Sequence, residues 1–361
     1  MIDADYIRLA LTLAERGRLT ARPNPMVGAV VVRDGRILGS GYHLKPGTAH
    51  GEVAAIENAG GCVAGSTVYV NLEPCSFEGR TPACADLLVE REVARVVCCL
   101  EDPDTRVSGA GYDRLRNAGI EVEVGLLAEE GERLNAAYLT HRRTGRPYVT
   151  LKLAQSIDGS IATQMGDARW ITGEVARVRG HSMRAEAQAI VVGVGTLLAD
   201  DPALTVRHVE GEDPLRVVLD THLRTPADAA CLPGAMILTT DAGGKTRARL
   251  EAAGAEIVTV EADESGRPSI QALLDVLGAR DIIHVLVEGG SKVAAGFLKV
   301  GVVDRIAAFT APRMLGAGVP SVADLGIQTV DAGVELTGVQ TEWLGHDLLY
   351  LADVKKSVSR I

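Results

Sequence analysis

Basic charge is in deficit in this 361-residue sequence: 37 lysines and arginines face 47 aspartates and glutamates, for a formal net charge of −10. That balance argues against a general binder of nucleic acid or anionic membrane, which would carry a basic surface interleaved with aromatics. Aromatics are themselves scarce, at seven tyrosines, three phenylalanines and two tryptophans. The six cysteines, at positions 62, 75, 84, 98, 99 and 231, are too sparse for a disulfide scaffold and fit a reducing cytoplasm. No uninterrupted apolar run reaches the ~18 residues of a transmembrane helix. The opening Met1-Ile2-Asp3-Ala4-Asp5 is acidic and lacks the basic and apolar regions of a signal peptide. The expectation is a cytoplasmic protein with neither nucleic acid nor membrane as partner; a homo-oligomer is compatible with it. What is present is an ordinary globular composition, 47% hydrophobic and 23% charged, on a chain long enough for two domains.

Periodicity predicts an α/β architecture throughout. Ile7, Leu11 and Ala14 form a helical stripe ending near Gly17, and Val27–Val32 and Ile37–Gly41 read as strands joined by an Asp34-Gly35 hairpin turn. A helix begins near His50, a strand spans Thr67–Asn71, and helix Ala83–Arg91, strand Ala94–Leu100, helix Tyr112–Ala118 and strand Ile120–Val124 follow. The polar stretch His141–Pro147 marks a linker, which places the domains at residues 1–145 and 146–361. Beyond it come strands Tyr148–Ala154, Ala189–Val194, Leu215–Asp220, Ala235–Thr239, Glu256–Val260 and Ile283–Glu288, with helices including Ile270–Leu277 and Ser291–Val300. Both chemistry-bearing segments of the first domain fall at helix starts after strands, where α/β sheets usually place their sites.

The chemistry is concentrated in His50-Gly51-Glu52, Pro74-Cys75 and Cys84. Catalytic zinc takes three protein ligands and leaves the fourth position to water, whose pKa falls to about 7. His-x-Glu followed by Pro-Cys and a second Cys is the zinc-deaminase pattern, with the glutamate moving protons rather than binding metal. Cys84 at a helix start gains from unpaired amides and the helix dipole, which favour thiolate. Glu52 is placed to take a proton from water and deliver it to departing ammonia. The spacing departs from the commonest form, since eight residues separate Cys75 from Cys84. Taken singly, His50 could be a capping residue, Glu52 a solvated charge and the cysteines small buried apolar groups; the cluster as a whole outweighs those readings. Cys98 and Cys99, inside a strand, read as core.

The second domain is less explicit. Val192-Gly193-Val194-Gly195-Thr196 is a strand running into a glycine turn without the third glycine of a dinucleotide fingerprint. Val287-Glu288-Gly289-Gly290-Ser291 is a strand end, two glycines and a helix start, a geometry that can seat phosphate on backbone amides. Arg184 and Arg207 read more readily as solvated charges than as phosphate ligands, and Trp170 more readily as core than as a ligand platform.

These segments resemble the RibD family of bifunctional riboflavin-biosynthesis proteins, in which a pyrimidine deaminase is fused to a pyrimidine reductase. The resemblance runs nearly end to end, through Asn24-Pro25-Met26-Val27-Gly28, Leu72-Glu73-Pro74-Cys75-Ser76, Gly79-Arg80-Thr81-Pro82, Asp102-Pro103, Lys152-Leu153-Ala154, Ser156-Ile157-Asp158-Gly159, Arg169-Trp170-Ile171-Thr172 and Leu198–Arg207. The long gap between the cysteines is this family's own spacing. Gly51 stands where the family usually has alanine, and Phe77-Glu78 replaces a stretch that commonly carries histidine.

The resemblance implies a cytidine-deaminase-like three-layer domain followed by a dihydrofolate-reductase-like α/β domain. It implies zinc-dependent deamination of a diamino-ribosylaminopyrimidinone 5′-phosphate, then NADPH-dependent reduction of the ribose of the resulting aminouracil to a ribityl chain. By position it implies His50, Cys75 and Cys84 for zinc and Glu52 for proton transfer. It implies Ala154, Trp170, Thr196, Asp200, Thr221 and the segment Gly290, Ser291, Lys292, Val293, Ala294, Ala295 and Gly296 for NADP. Ala168, Arg184, Leu204, Arg207 and Glu288 would hold substrate, the arginines suiting its phosphate.

Overall fold

A computed structural model describes residues 1–77, 82–241 and 243–355. Glu78 and Gly79-Arg80-Thr81, which belong to the departure and motif noted above, lie outside the described residues, as does the end of the second domain at 356–361. The chain divides into two compact units, Met1–Gly145 and Arg146–Ile361.

The first unit runs α1 (Asp3–Glu15), β1 (Gly28–Arg33), β2 (Arg36–Tyr42), α2 (Gly51–Asn58), β3 (Thr67–Val70), α3 (Cys84–Glu90), β4 (Arg95–Cys98), α4 (Ala110–Asn117), β5 (Glu121–Val124), α5 (Ala128–Leu134) and α6 (Ala136–Thr144). Its sheet has the order β2-β1-β3-β4-β5. The hairpin forms with Arg33 opposite Arg36, and Asp34 and Gly35 both take the positive φ that a two-residue turn requires. β3, β4 and β5 run parallel, joined by crossover helices. Alternation along the strands sorts the two faces. Ala29, Val31, Val68, Val70 and Val96 pack with Ile56, Leu88 and Leu115 of α2, α3 and α4. Tyr69 points to the opposite face and stacks on Tyr6 of α1, ring centroids 4.8 Å apart. The outcome is a helix–sheet–helix sandwich.

The expected linker is corrected. His141, Arg142 and Arg143 form the last turn of α6, which closes on Gly145 in the left-handed conformation. Arg146 already belongs to the second unit, where it grips Asp304 through two hydrogen bonds of 2.7 Å. A histidine and two arginines in succession looked like solvated linker because the buried Tyr138 and Leu139 precede them rather than alternate with them.

The second unit comprises β6 (Tyr148–Ser156), β7 (Ser160–Ala162), α7 (Glu174–Glu186), β8 (Ala189–Gly193), α8 (Val194–Asp200), β9 (Leu215–Leu219), β10 (Met236–Thr239), α9 (Lys245–Ala252), β11 (Glu256–Thr259), α10 (Ile270–Gly278), β12 (His284–Gly289), α11 (Ser291–Val300), β13 (Arg305–Ala311), β14 (Val319–Pro320), β15 (Leu336–Leu344) and β16 (Asp347–Val354). Nine strands make one sheet, β11-β10-β9-β8-β12-β6-β13-β16-β15, parallel from β11 to β13 and antiparallel thereafter. Its central strands are covered on both faces, which is why they read as continuous apolar runs. Val149, Val191 and Val285 pack against Leu273, Leu277 and Phe297 of α10 and α11. Ile190, Val192 and Ile237 pack against Leu197 and Leu250 of α8 and α9, while Leu286 and Phe309 meet Ala176 and Met183 of α7. Among the described residues no helix is long and apolar enough to cross a membrane.

Candidate active sites

His50 is the residue capping the start of α2, and Glu52 is the second residue of that helix, buried at 2% exposure. Gly51 between them is set by a close approach: a Cβ there would stand 2.9 Å from the Val27 carbonyl oxygen. Cys75 lies in the loop leaving β3, and Cys84 opens α3, its amide donating to Cys75 Sγ at 3.3 Å. His50 Nδ1 stands 3.2 Å from Cys84 Sγ and 3.6 Å from Cys75 Sγ, and one donor atom from each residue fits within 4.8 Å of the others. Hydrogen bonding from Cys84 and His50 pulls Cys75 down to about 4, while its bond to Cys75 and burial push Cys84 well up. Burial raises the Glu52 carboxyl to about 7, and its Oε2 has no hydrogen-bond partner.

This cluster lies on a cavity of about 400 Å³, whose lining includes Asn24, His43, His50, Glu52, Cys75 and Phe77. His43 donates through Nδ1 to the Ala49 carbonyl at 3.1 Å and accepts at Nε2 from the Asn24 amide at 3.0 Å, which fixes its tautomer. Asp102, Asp104, Arg106, Val107 and Tyr138 form another stretch of the cavity wall. The Tyr138 hydroxyl lies 3.0 Å from both Asp102 oxygens, and burial raises Asp102 to about 6. Arg106 binds Asp104 through Nε and Nη2 at 2.9 and 2.6 Å and lies over the Phe77 ring, 4.7 Å from its centroid. Motif reading of the sequence had not assigned this wall, although Asp102-Pro103 was among the segments singled out. Cys98 and Cys99 are buried in and beside β4, as expected of core.

The second unit holds a cavity of about 770 Å³ at the carboxyl ends of β6, β8 and β12. Ala154, Ala168, Trp170, Arg184, Thr196, Asp200, Leu204, Arg207 and Glu288 all line it. Thr221 and residues 290–296 are not on its lining. Thr221 offers its carbonyl to the Thr239 hydroxyl, and Gly290 is tied to the cavity because its amide donates to Thr196 Oγ1 at 2.9 Å. Ser291 Oγ is buried at the start of α11 without a partner. Ala294 and Ala295 are core residues of that helix.

Two expectations are corrected here. Trp170 is not core: it is 62% exposed at the cavity rim, with the Arg177 guanidinium 4.6 Å from its ring centroid. Arg184 is not a solvated charge. It is largely buried and binds Glu288 through Nε and Nη2 at 2.7 and 2.9 Å, with Nη1 on the Thr205 carbonyl. Arg207 is exposed at the rim. Burial would raise Glu288, but Lys152 and Arg184 overcome it and hold the carboxyl at about 2. Lys152, given no role by the sequence reading, brings its Nζ to 3.7 Å from Glu288. Its signal was that it is the one charged residue in strand β6. His181 was missed; burial and the flanking arginines push it down to about 4, and its Nδ1 accepts from the Arg207 amide.

The two units match separate families. The cytidine and deoxycytidylate deaminase zinc-binding region matches residues 1–100, and the RibD C-terminal domain matches residues 147–350. The riboflavin biosynthesis protein RibD of Aquifex aeolicus is 41% identical over 352 residues, covering 96% of this chain and 97% of its own. That of Escherichia coli is 40% identical over 331 residues, covering 88% and 89%. Among solved structures, Acinetobacter baumannii RibD superposes with a TM-score of 0.88 at 34% identity, covering 98% of this chain and 99% of its own. The Thermotoga maritima deaminase/reductase gives 0.87 at 35%, with the same coverage. Fold and sites together define a two-part enzyme, a zinc-type deaminase followed by a reductase. The chain belongs to the RibD family of riboflavin biosynthesis proteins.

Proposed function

We propose that residues 1–145 are a zinc-dependent pyrimidine deaminase and residues 146–361 an NADPH-dependent reductase, acting in succession on one phosphorylated pyrimidine. The first converts a diamino-ribosylaminopyrimidinone 5′-phosphate to the aminouracil with release of ammonia. The second reduces the ribose of that aminouracil to ribityl. The observation that carries this reading is the convergence of His50 Nδ1 and the Cys75 and Cys84 thiols, with the buried Glu52 carboxyl alongside.

One imidazole and two thiols within mutual ligand distance, two of the three residues lining the cavity, suit a catalytic zinc ion. When bound there, zinc supplies a Lewis acid that makes water nucleophilic at neutral pH. Glu52 takes the proton of the attacking water and returns it to the leaving amine. Its unpartnered Oε2 leaves an acceptor available for that proton. His43, with both ring nitrogens engaged, orients Asn24, whose amide faces the cavity for a planar ring, and Asp102 stands on the same lining.

NADPH, when bound, supplies hydride. The buried and unpartnered Ser291 Oγ, at a helix start behind two glycines, suits a cofactor phosphate. Thr196 holds the Gly290 amide in place, Trp170 offers an exposed ring, Ala154 and Asp200 line the cofactor side, and Thr221 would extend it beyond the cavity lining. Lys292, Val293 and Gly296 belong to the same helix, with Ala294 and Ala295 anchoring it in the core rather than touching ligand. Ala168, Leu204, Arg207 and Glu288 form the substrate side. Exposed Arg207 meets the 5′-phosphate, and Arg184 fixes Glu288. Free thiols at all six cysteines support a reducing, cytoplasmic setting.

The test is incubation of the purified full-length protein with the diamino substrate, with and without NADPH, following ammonia and reduced product separately. Ammonia in both arms and ribityl product only with NADPH is the expected result. No ammonia from zinc-loaded protein overturns the deaminase reading.

A further inference from the structure

The deaminase mechanism leaves one buried carboxylate without a task. Glu73, two residues before Cys75, is 4% exposed. Its partners are three backbone amides of a single segment: Asp102 and Gly109 donate to Oε2 at 3.2 and 3.0 Å, and Gly111 donates to Oε1 at 2.9 Å. Gly109 caps α4 and Gly111 lies in its first turn, so the carboxylate also meets the positive end of that helix. The contact is close enough to require glycine: a Cβ on Gly111 would stand 2.1 Å from the Pro74 carbonyl oxygen. The start of this segment, 102 to 107, supplies Asp102, Asp104, Arg106 and Val107 to the cavity wall.

We infer that Glu73 is a positioning residue of the deaminase, fastening the wall formed by residues 102–107 to the turn that carries Cys75. The inference rests on the proposed deaminase reading. A single carboxylate joins the two sides of the cavity, one bearing the candidate metal ligand and the other the groups that face the substrate. Its three accepted hydrogen bonds, shared by both carboxylate oxygens, cannot all be reproduced by an amide, because the NH₂ of glutamine would confront a backbone N–H. Within the wall the polar groups are chained: the Asp104 amide donates to Asp102 Oδ1 and the Arg106 amide to Asp104 Oδ1, at 2.9 and 3.0 Å. Displacing Asp102 therefore displaces its neighbours. The metal ligands have their own supports, His50 on α2, Cys84 on α3, and Cys75 tied to α3 by the Cys84 amide on its Sγ and the Ala85 amide on its carbonyl at 3.3 and 3.1 Å, so loosening the wall weakens substrate binding before it disturbs the metal.

Full-length Glu73→Gln and Glu73→Asp are to be compared with wild type for zinc content, deamination kinetics and NADPH oxidation on the deaminated substrate. The expected result is retained zinc, unchanged reductase kinetics, and a deaminase KM raised about tenfold with kcat far less affected. Aspartate, one methylene shorter, should rescue incompletely. A wild-type KM in Glu73→Gln with zinc retained overturns the inference. So does loss of zinc or of soluble protein in both variants, which would assign the carboxylate to folding of the unit. Absence of ammonia release by the wild-type protein would instead refute the deaminase reading itself.

Discussion

Arg184 and Glu288 are joined by a two-pronged ion pair, Nε and Nη2 to the two carboxylate oxygens, inside the reductase cavity. Both side chains are largely buried, with Lys152 as a second cation beside the carboxylate. Removing the acid leaves two cations without their anion, so Glu288→Gln should destabilise the unit by about 3–5 kcal/mol. Acidification should act on the same group. A carboxyl held at about 2 contributes stability that is fully present above its unfolded value of 4.5 and lost as pH falls through 2. Denaturant midpoints measured from neutral pH downward should decline in the wild type below the unfolded value and decline less steeply in Glu288→Gln.

The candidate zinc donors and Glu52 make separable predictions. Cys75→Ser should lower zinc from about one ion per chain and abolish ammonia release while leaving NADPH oxidation intact. Metal analysis showing full occupancy would reassign the ligand. Glu52→Gln should keep its zinc yet lose about 10²–10⁴-fold in deaminase kcat, the usual scale for a proton-transfer group.

Exposure of Trp170 at the cavity rim allows a clean substitution. Trp170→Ala should shift stability by no more than about 0.5 kcal/mol, as surface changes usually do. Loss of its ring should raise the KM for NADPH about tenfold, since aromatic contacts carry much of a planar ligand's affinity. An unaltered KM would remove Trp170 from the cofactor site.

Gly51→Ala brings two effects into opposition. Alanine improves a helix by up to about 1 kcal/mol. Here its Cβ would press on the Val27 carbonyl at 2.9 Å, backbone that has little room to yield. Overpacking costs about 1–3 kcal/mol, so the net change should be destabilising despite the better helix former. A raised melting temperature would show that β1 shifts readily.

Much of this was legible in the sequence where local pattern and tertiary role coincide. The hairpin at Asp34-Gly35, the strands of both sheets up to β12 and the His50, Glu52, Cys75 and Cys84 cluster follow from turn chemistry, apolar runs and ligand type. What escaped was set by distant partners. β13 is rich in small residues and the edge strand β15 is exposed at seven successive positions, so neither shows an apolar run; β16 does carry one, in Leu348, Leu349, Tyr350 and Leu351, but its pairing with β13 and β15 is set by the sheet. Arg184 looked solvated because its anion lies 104 positions away in sequence. Trp170 looked like core because bulk usually implies burial. Glu73 and Asp102 stood in segments already singled out but received no role, since the role of Glu73 lies in amides contributed by another segment.

Each half of the chain organises its apolar side chains around its own sheet, Val31 and Leu88 in one, Leu274 and Phe297 in the other. Mutational damage is thereby partitioned: a truncated valine in the first sheet falls on ammonia release, a truncated phenylalanine beneath the second on hydride delivery. Because the reactions are consecutive, either lesion alone stops the final product. One polypeptide thus exposes its pathway to two separate points of failure, and screening for the intermediate that accumulates would tell which half had given way.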